Sequence, residues 1–322
     1  MKKFISFIRE WKLPVAMLLG VVAYFVFVAL PLSSRVHRLA YEAVSDIIQP
    51  TLIFCMLFLS FCKVRPQEMR PHRWQALVLL VQGLLFLLCS VGALMVESDG
   101  EKLLFEGAML CFICPTATAS AVIVGKLGGN VAGDVTYIML CNLMVSVLCP
   151  LMVPLVEPHA GMDFFTSFYM ILGKVFPLLI MPLVAAWFVR YLLPDLHRWF
   201  LRFPDLAFYM WLVALALAIA VTVRSVIHTT IGMGYLAGLA VVSLVCCIIQ
   251  FAVGKAIGSR YDRRGSTVNR ITAGQAFGQK NTVFAIWAGL VFLNPVTSIV
   301  GGFYSVWHNV INSFQLHNSR RA

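Results

Sequence analysis

Two clusters of small, polar and helix-breaking residues interrupt apolar runs. One is Cys114-Pro-Thr-Ala-Thr-Ala-Ser120, followed by Gly125-Lys-Leu-Gly-Gly129. The other is Gly274-Gln-Ala-Phe-Gly-Gln-Lys-Asn-Thr282. A broken helix at membrane depth leaves backbone donors and acceptors that hydrocarbon cannot satisfy. Such breaks persist only where protein, water or a bound solute satisfies them. Two breaks at matching places in the two halves of a chain point to a transporter-type solute site.

Each polar group at that depth needs a reason. Lys280 lies about ten residues into its span, between Gln279 and Asn281. A buried ammonium must be paired or neutralised. Three roles are open to it: a structural ion pair locking the crossing, a contact to a substrate anion, or a proton carrier. Asp134 follows Gly-Gly-Asn-Val-Ala-Gly133. It reads either as a helix cap or as the balance to Lys280. Thr116, Thr118, Ser120, Asn142, Gln82 and Gln275 are expected to line the same polar cavity or to bond between helices. Lys174 reads as a snorkelling residue at the opening of a span. His308 and Asn309 read as packing.

Composition sets the frame for these residues. The chain has 322 residues, 60% hydrophobic and 12% charged, too apolar for a soluble domain. Apolar runs of about 17–25 residues match a bilayer core of about 30 Å. This is the signature of one all-α integral membrane domain whose solvent is the lipid bilayer. The net charge of +11 belongs to short loops and sets topology, so nucleic acid is not a partner. The nine cysteines lie mostly in apolar runs. Cys111-Phe-Ile-Cys114 has redox or metal spacing but no second pair and no nearby histidines, so small apolar helix residues are expected and no metal. Met1-Lys-Lys-Phe carries no cleavable signal pattern.

Ten spans are predicted: 13–32, 46–62, 75–96, 104–126, 134–156, 168–190, 205–223, 232–253, 271–292 and 296–315. With the N-terminus inside, the inner segments hold 19 Lys and Arg and the outer ones 4. The inner set includes Lys2, Lys3, Arg9, Lys63, Lys126, Arg190, Lys255, Arg320 and Arg321. That split predicts both termini cytoplasmic. Ten spans divide five and five, so the second half (161–322) is expected inverted relative to the first (1–160). Lys12-Leu-Pro14 opens the first span and Lys174-Val-Phe-Pro177 the sixth, which pairs the broken fourth span with the broken ninth.

These residues resemble the bile acid:sodium symporter family, over essentially the whole chain. The family's fourth-span motif is similar to Pro115-Thr-Ala-Thr-Ala-Ser-Ala121 and Gly129-Asn-Val-Ala132. Its ninth-span motif is similar to Ala276-Phe-Gly-Gln-Lys-Asn-Thr282. The resemblance implies a divergent bacterial-type member in the inner (plasma) membrane. It also implies panel and core domains, helices 4 and 9 crossing in the core, and alternating-access transport of organic anions. It further implies that one sodium site becomes Ser120, Ala121, Asp134, Ile138 and Ala276. The other becomes Ala276, Lys280 and Gln82. The coupling Glu is absent, and a Lys stands where sodium is ligated. Two like charges about 4 Å apart repel by roughly 4 kcal/mol at an effective dielectric near 20. Sodium independence is therefore expected, with Lys280 replacing the ion: transport is proton-coupled if Lys280 releases its proton during the cycle, and uniport or exchange if it stays charged.

The leading expectation is a secondary active transporter of a small organic anion, a carboxylate or bile-acid-like solute. The alternatives are a sodium-coupled symporter with a site rebuilt at Asp134, and a sensor that binds solute without moving it. Leu316-His-Asn-Ser-Arg-Arg-Ala322 is too short to be a signalling output domain. An enzyme is not expected: the spans hold no His-Glu-x-x-His, paired-Asp or Gly-x-Ser-x-Gly constellation.

Overall fold

The computed structural model describes residues 12–158, 161–203, 205–229 and 231–319. The predicted topogenic residues Lys2, Lys3, Arg9, Arg320 and Arg321 lie outside them. The described chain is helical, with no strand; its single isolated bridge joins Thr116 and Lys280. In order, the helices are α1 (Lys12–Ala29), α2 (Ser34–Ala43), α3 (Gln49–Lys63), α4 (Arg73–Met95), α5 (Asp99–Ile113), α6 (Ser120–Lys126) and α7 (Val131–Val156). There follow α8 (Phe164–Leu192), α9 (Pro194–Leu201), α10 (Leu206–His228), α11 (Met233–Ser259), α12 (Val268–Gly278), α13 (Thr282–Phe292) and α14 (Ile299–Ser319).

Six helical stretches among the described residues are long and apolar enough to cross a membrane. They are Ser34–Lys63 (α2, a π turn and α3 in one run), α4, α7, α8, α10 and α11. Large apolar side chains stay exposed on the outside, among them Leu19, Phe25, Leu80, Leu88, Val184 and Phe188. A soluble surface would not carry that many. The fold is thus all-α, and its long apolar helices fit a multi-pass membrane protein.

Local sequence sets the ends of these helices. The Asn130 side chain caps α7 by accepting from the Gly133 amide at 3.0 Å. Asp163 caps α8 by accepting from the amides of Phe165 and Thr166. Asp134, read from sequence as a possible cap, sits instead inside the first turn of α7, fully buried. Lys174 does not open a span either. Because Asp163 starts α8 eleven residues earlier, Lys174 lies mid-helix and exposed, and the helix runs on through Pro177 and Pro182.

α1 packs on α10, and α3 packs on α8 and α10. α4 packs on α5 and α7, and α11 on α12 and α14. All nine cysteines are free, and both Cys111 and Cys114 are buried.

The α11–α12 contact is the tightest requirement on side-chain size. A Cβ on Gly254 would stand 2.5 Å from the Ala273 carbonyl oxygen. One on Gly258 would stand 2.3 Å from that of Asn269. Small residues let the two backbones meet, as helix pairs in lipid require. Gly254→Val is expected to cost about 1–3 kcal/mol, read as a lower melting temperature in detergent; Gly173→Ala, which meets nothing within 4 Å, leaves the melt unchanged.

Candidate functional site

The two breaks meet. After α5 ends, Cys114 to Ala119 run non-helically; after α12 ends, so do Gln279 to Asn281. The two segments pass antiparallel. The Ala117 amide donates to the Gln279 carbonyl at 3.0 Å, and the Asn281 amide donates to the Pro115 carbonyl at 2.8 Å. Thr116 Oγ1 donates to the Ala276 carbonyl at 2.6 Å. The Cys114 thiol donates to the Asn281 carbonyl at 2.9 Å.

Neighbouring helices satisfy the remaining helix ends. Gln82 on α4 donates from Nε2 to the Phe112 carbonyl at 2.9 Å, and its Oε1 accepts from Tyr137 Oη at 2.7 Å. Gln250 on α11 donates to the Cys111 carbonyl at 3.3 Å and to Tyr304 Oη at 3.0 Å. Tyr304 in turn donates to the Gly278 carbonyl at 2.8 Å. The Asn281 side chain caps α13 by accepting from the Phe284 amide at 3.2 Å. The N-termini of α6 and α13 therefore begin at the crossing, each bringing the partial positive charge of a helix start.

A cavity of about 460 Å³ opens beside the crossing. From the breaks it is lined by Thr118 and Gln279, from α14 by His308, Asn309 and Asn312, and from α10 by Phe208 and Trp211. Lys63, Lys126 and Asp205 also line it, so this is the basic end of the helix bundle. A second cavity, of about 540 Å³, lies at the other end among Asp99, Lys102, Glu106, Glu157, Arg224 and His228. There Lys102 Nζ is 2.6 Å from Glu157 and 3.8 Å from Glu106, and Glu106 accepts from Thr297 Oγ1 at 2.8 Å. Burial lowers the Lys102 pKa, but the Glu157 hydrogen bond and charge outweigh it and leave it raised.

Most of the residues singled out from sequence gather at the crossing, yet only two of them face the open cavity. Thr118 and Gln279 line it. Thr116, Gln82 and Asn281 hold the backbone of the breaks. Gln275 is buried, donating to Gln315 at 3.1 Å and accepting from Gln279 at 2.7 Å. Asn142 donates to the Leu179 carbonyl of α8 at 3.2 Å.

Lys280 is not among the cavity-lining residues. It is 1% exposed, its Nζ has no hydrogen-bond partner among the described residues, and it stands 5.0 Å from the centre of the Phe277 ring. Nor does it pair with Asp134, whose Oδ2 accepts from Ser120 Oγ at 2.5 Å and whose Oδ1 has no partner. The expected ion-pair lock is therefore absent between the two.

His308 and Asn309, read from sequence as packing, line the cavity instead; sequence reasoning passed over Asn312 there, and Gln250, Tyr137 and Tyr304 around the breaks. A signal for the latter was present: Gln250 sits in an apolar run as Gln82 does. No protein-family model matches the chain, and no curated protein matches it.

Breaking a buried ion pair by removing one partner costs about 3–5 kcal/mol. Because Lys280 Nζ has no partner here, Lys280→Met is expected to melt no lower than wild type in detergent. A drop of that size would instead reveal a structural pair.

Proposed function

We propose that this chain is a secondary active transporter of a small organic anion, working by alternating access and independent of sodium. The observation that carries the reading is the crossing itself. Two interrupted helices meet at bundle depth, and an open cavity of about 460 Å³ reaches their polar backbone from one end only.

The resemblance to the bile acid:sodium symporters accords with this arrangement, and so does the order of the helices. On this reading α1, α3, α8 and α10 form the panel, and the remaining long helices with the two broken ones form the core. Each half places a short helix after its first span, α2 in one and α9 in the other. Each also places a break in its fourth. In the proposed reading that order corresponds to ten spans in two inverted repeats. The basic end, with Lys63 and Lys126, is then the cytoplasmic end, and the structure is open inwards. Outward access is closed where α13 packs on α3 and α10.

Lys280 serves in this reading as the built-in replacement for a sodium ion. It sits in the core behind the crossing, not against the solute. Gln82, the third-span residue matching a sodium ligand, already spends its amide on Phe112 and Tyr137. The solute is an anion because Lys63 and Lys126 flank the cavity and α6 begins at its wall. Phe208 and Trp211 suit an apolar portion beside the charge. One observation favours a second reading, a cation site rebuilt at Asp134: its Oδ1 is buried without a partner beside Ser120.

The test is uptake of labelled small carboxylates into proteoliposomes under a sodium gradient, a proton gradient or neither. Uptake indifferent to sodium, driven by protons and lost in Lys280→Ala, is expected. Uptake that follows sodium, and is lost in Asp134→Asn, contradicts the proposal and favours the rebuilt site.

A further inference from the structure

A three-residue pattern on α7 returns on α14. Tyr137, Asn142 and Ser146 recur as Tyr304, Asn309 and Ser313, each 167 positions later. The recurrence is one of role as well as of letters. Each tyrosine hydroxyl meets a glutamine from a neighbouring helix, Gln82 on α4 at 2.7 Å and Gln250 on α11 at 3.0 Å. Each of those glutamines holds a carbonyl at the end of broken α5. Both helices therefore bear on the crossing, although Tyr137 donates to its glutamine while Tyr304 accepts from its own and donates to the Gly278 carbonyl.

Helix geometry fixes what the other two residues do. With the tyrosine turned to the crossing, a residue five positions on lies about 140° round the helix and one nine positions on about 180°. Asn and Ser therefore face away from the crossing, toward the helices packed outside. On α14 that face is open, and Asn309 and Ser313 line the cavity at the basic end. On α7 it is shut: Asn142 is 1% exposed and Ser146 fully buried. α7 packs on α8, and the Asn142 amide donates to the Leu179 carbonyl there. α7 starts at the basic end and α14 finishes there, so the shut pair extends from the crossing toward the opposite end.

The shut copy carries a mark of incompleteness. Asn142 Oδ1 is buried with no hydrogen-bond partner among the described residues, an unfavourable state for an amide oxygen. Asn309 likewise spends its Nδ2 internally, on the Ser305 carbonyl at 2.7 Å, and this leaves its oxygen for the cavity. In both copies an amide oxygen awaits a donor.

We infer that Asn142 and Ser146 are the outward-side counterpart of the Asn309–Ser313 site, uncovered when α8 separates from α7. Both sites take an organic anion that also carries a hydroxyl or amide donor, which the asparagine oxygen accepts. This inference rests on the alternating-access reading above and adds a second solute-binding surface to it.

The experiment is side-specific labelling with a membrane-impermeant maleimide. Asn309→Cys, Asn142→Cys and Ser146→Cys are each placed in the otherwise native chain, with wild type as the blank for its nine cysteines. Oriented vesicles expose one face at a time, and carboxylate flux is measured on the same preparations. Asn309→Cys is expected to label from the basic end, with labelling lost when reagent is applied to the other face. Asn142→Cys and Ser146→Cys are expected to show the reverse. Should Asn142→Cys fail to fold, Ser146→Cys carries the test. If folded variants at 142 and 146 stay unlabelled from the far face, or label from the basic end, the inference is overturned. Flux that persists in that case leaves the transport reading standing. Labelling from the far face without any flux supports the second surface and counts against transport.

Discussion

Four helix ends converge in this protein, and the backbone groups they expose satisfy one another. Pro115 to Ala117 and Gln279 to Asn281 exchange two amide hydrogen bonds across an antiparallel step. In hydrocarbon each lost bond of this kind would cost several kcal/mol. Everything else near the centre serves that step. Gln82 and Gln250 reach in from α4 and α11 to hold carbonyls of α5. Tyr137 and Tyr304 fix the two glutamines in turn. Gly254 and Gly258 bring α11 close enough to α12 for such short bonds to form.

A crossing sealed in this way has a functional consequence. In the proposed reading, its polar floor is reached by solute from one end at a time. The open cavity reaches it from the basic end, and α13 blocks the other side. Lys280 places an amine in the core that meets neither Asp134 nor the cavity. The charge that the family draws from a dissociable ion is, in the proposed reading, covalently part of the chain.

Much of the frame was legible in the sequence, because apolar run length and helix-breaking residues are local signals. The breaks were marked by Pro115 and by Gly274 and Gly278 within otherwise apolar spans. The direction in which individual side chains point was not legible there. A broken segment has no helical period, so nothing local says that Gln279 faces the cavity while the adjacent Lys280 faces the core. Asp134 was drawn toward Lys280 by charge alone; the structure gives it Ser120, because Asn130 had already taken the cap. His308 and Asn309 lie in a regular helix, but the face of α14 that stays open depends on the placement of α3 and α10. Lys174 was misplaced because the similarity of Lys-x-x-Pro to Lys-x-Pro outweighed Asp163, a better helix start eleven residues earlier.

The central claim is the contact between the two breaks, and a disulfide tests it most directly. Thr116 and Lys280 are an antiparallel pair flanked by, not joined by, the two amide bonds. Such pairs hold their Cα atoms about 4.5 Å apart, within the range a disulfide spans. The Thr116→Cys/Lys280→Cys double variant, mildly oxidised in membranes and mapped by peptide mass, is predicted to form the 116–280 bond; each single variant is not. A folded double variant with both thiols still free, or bonded only to native cysteines, would contradict the crossing on which this account stands.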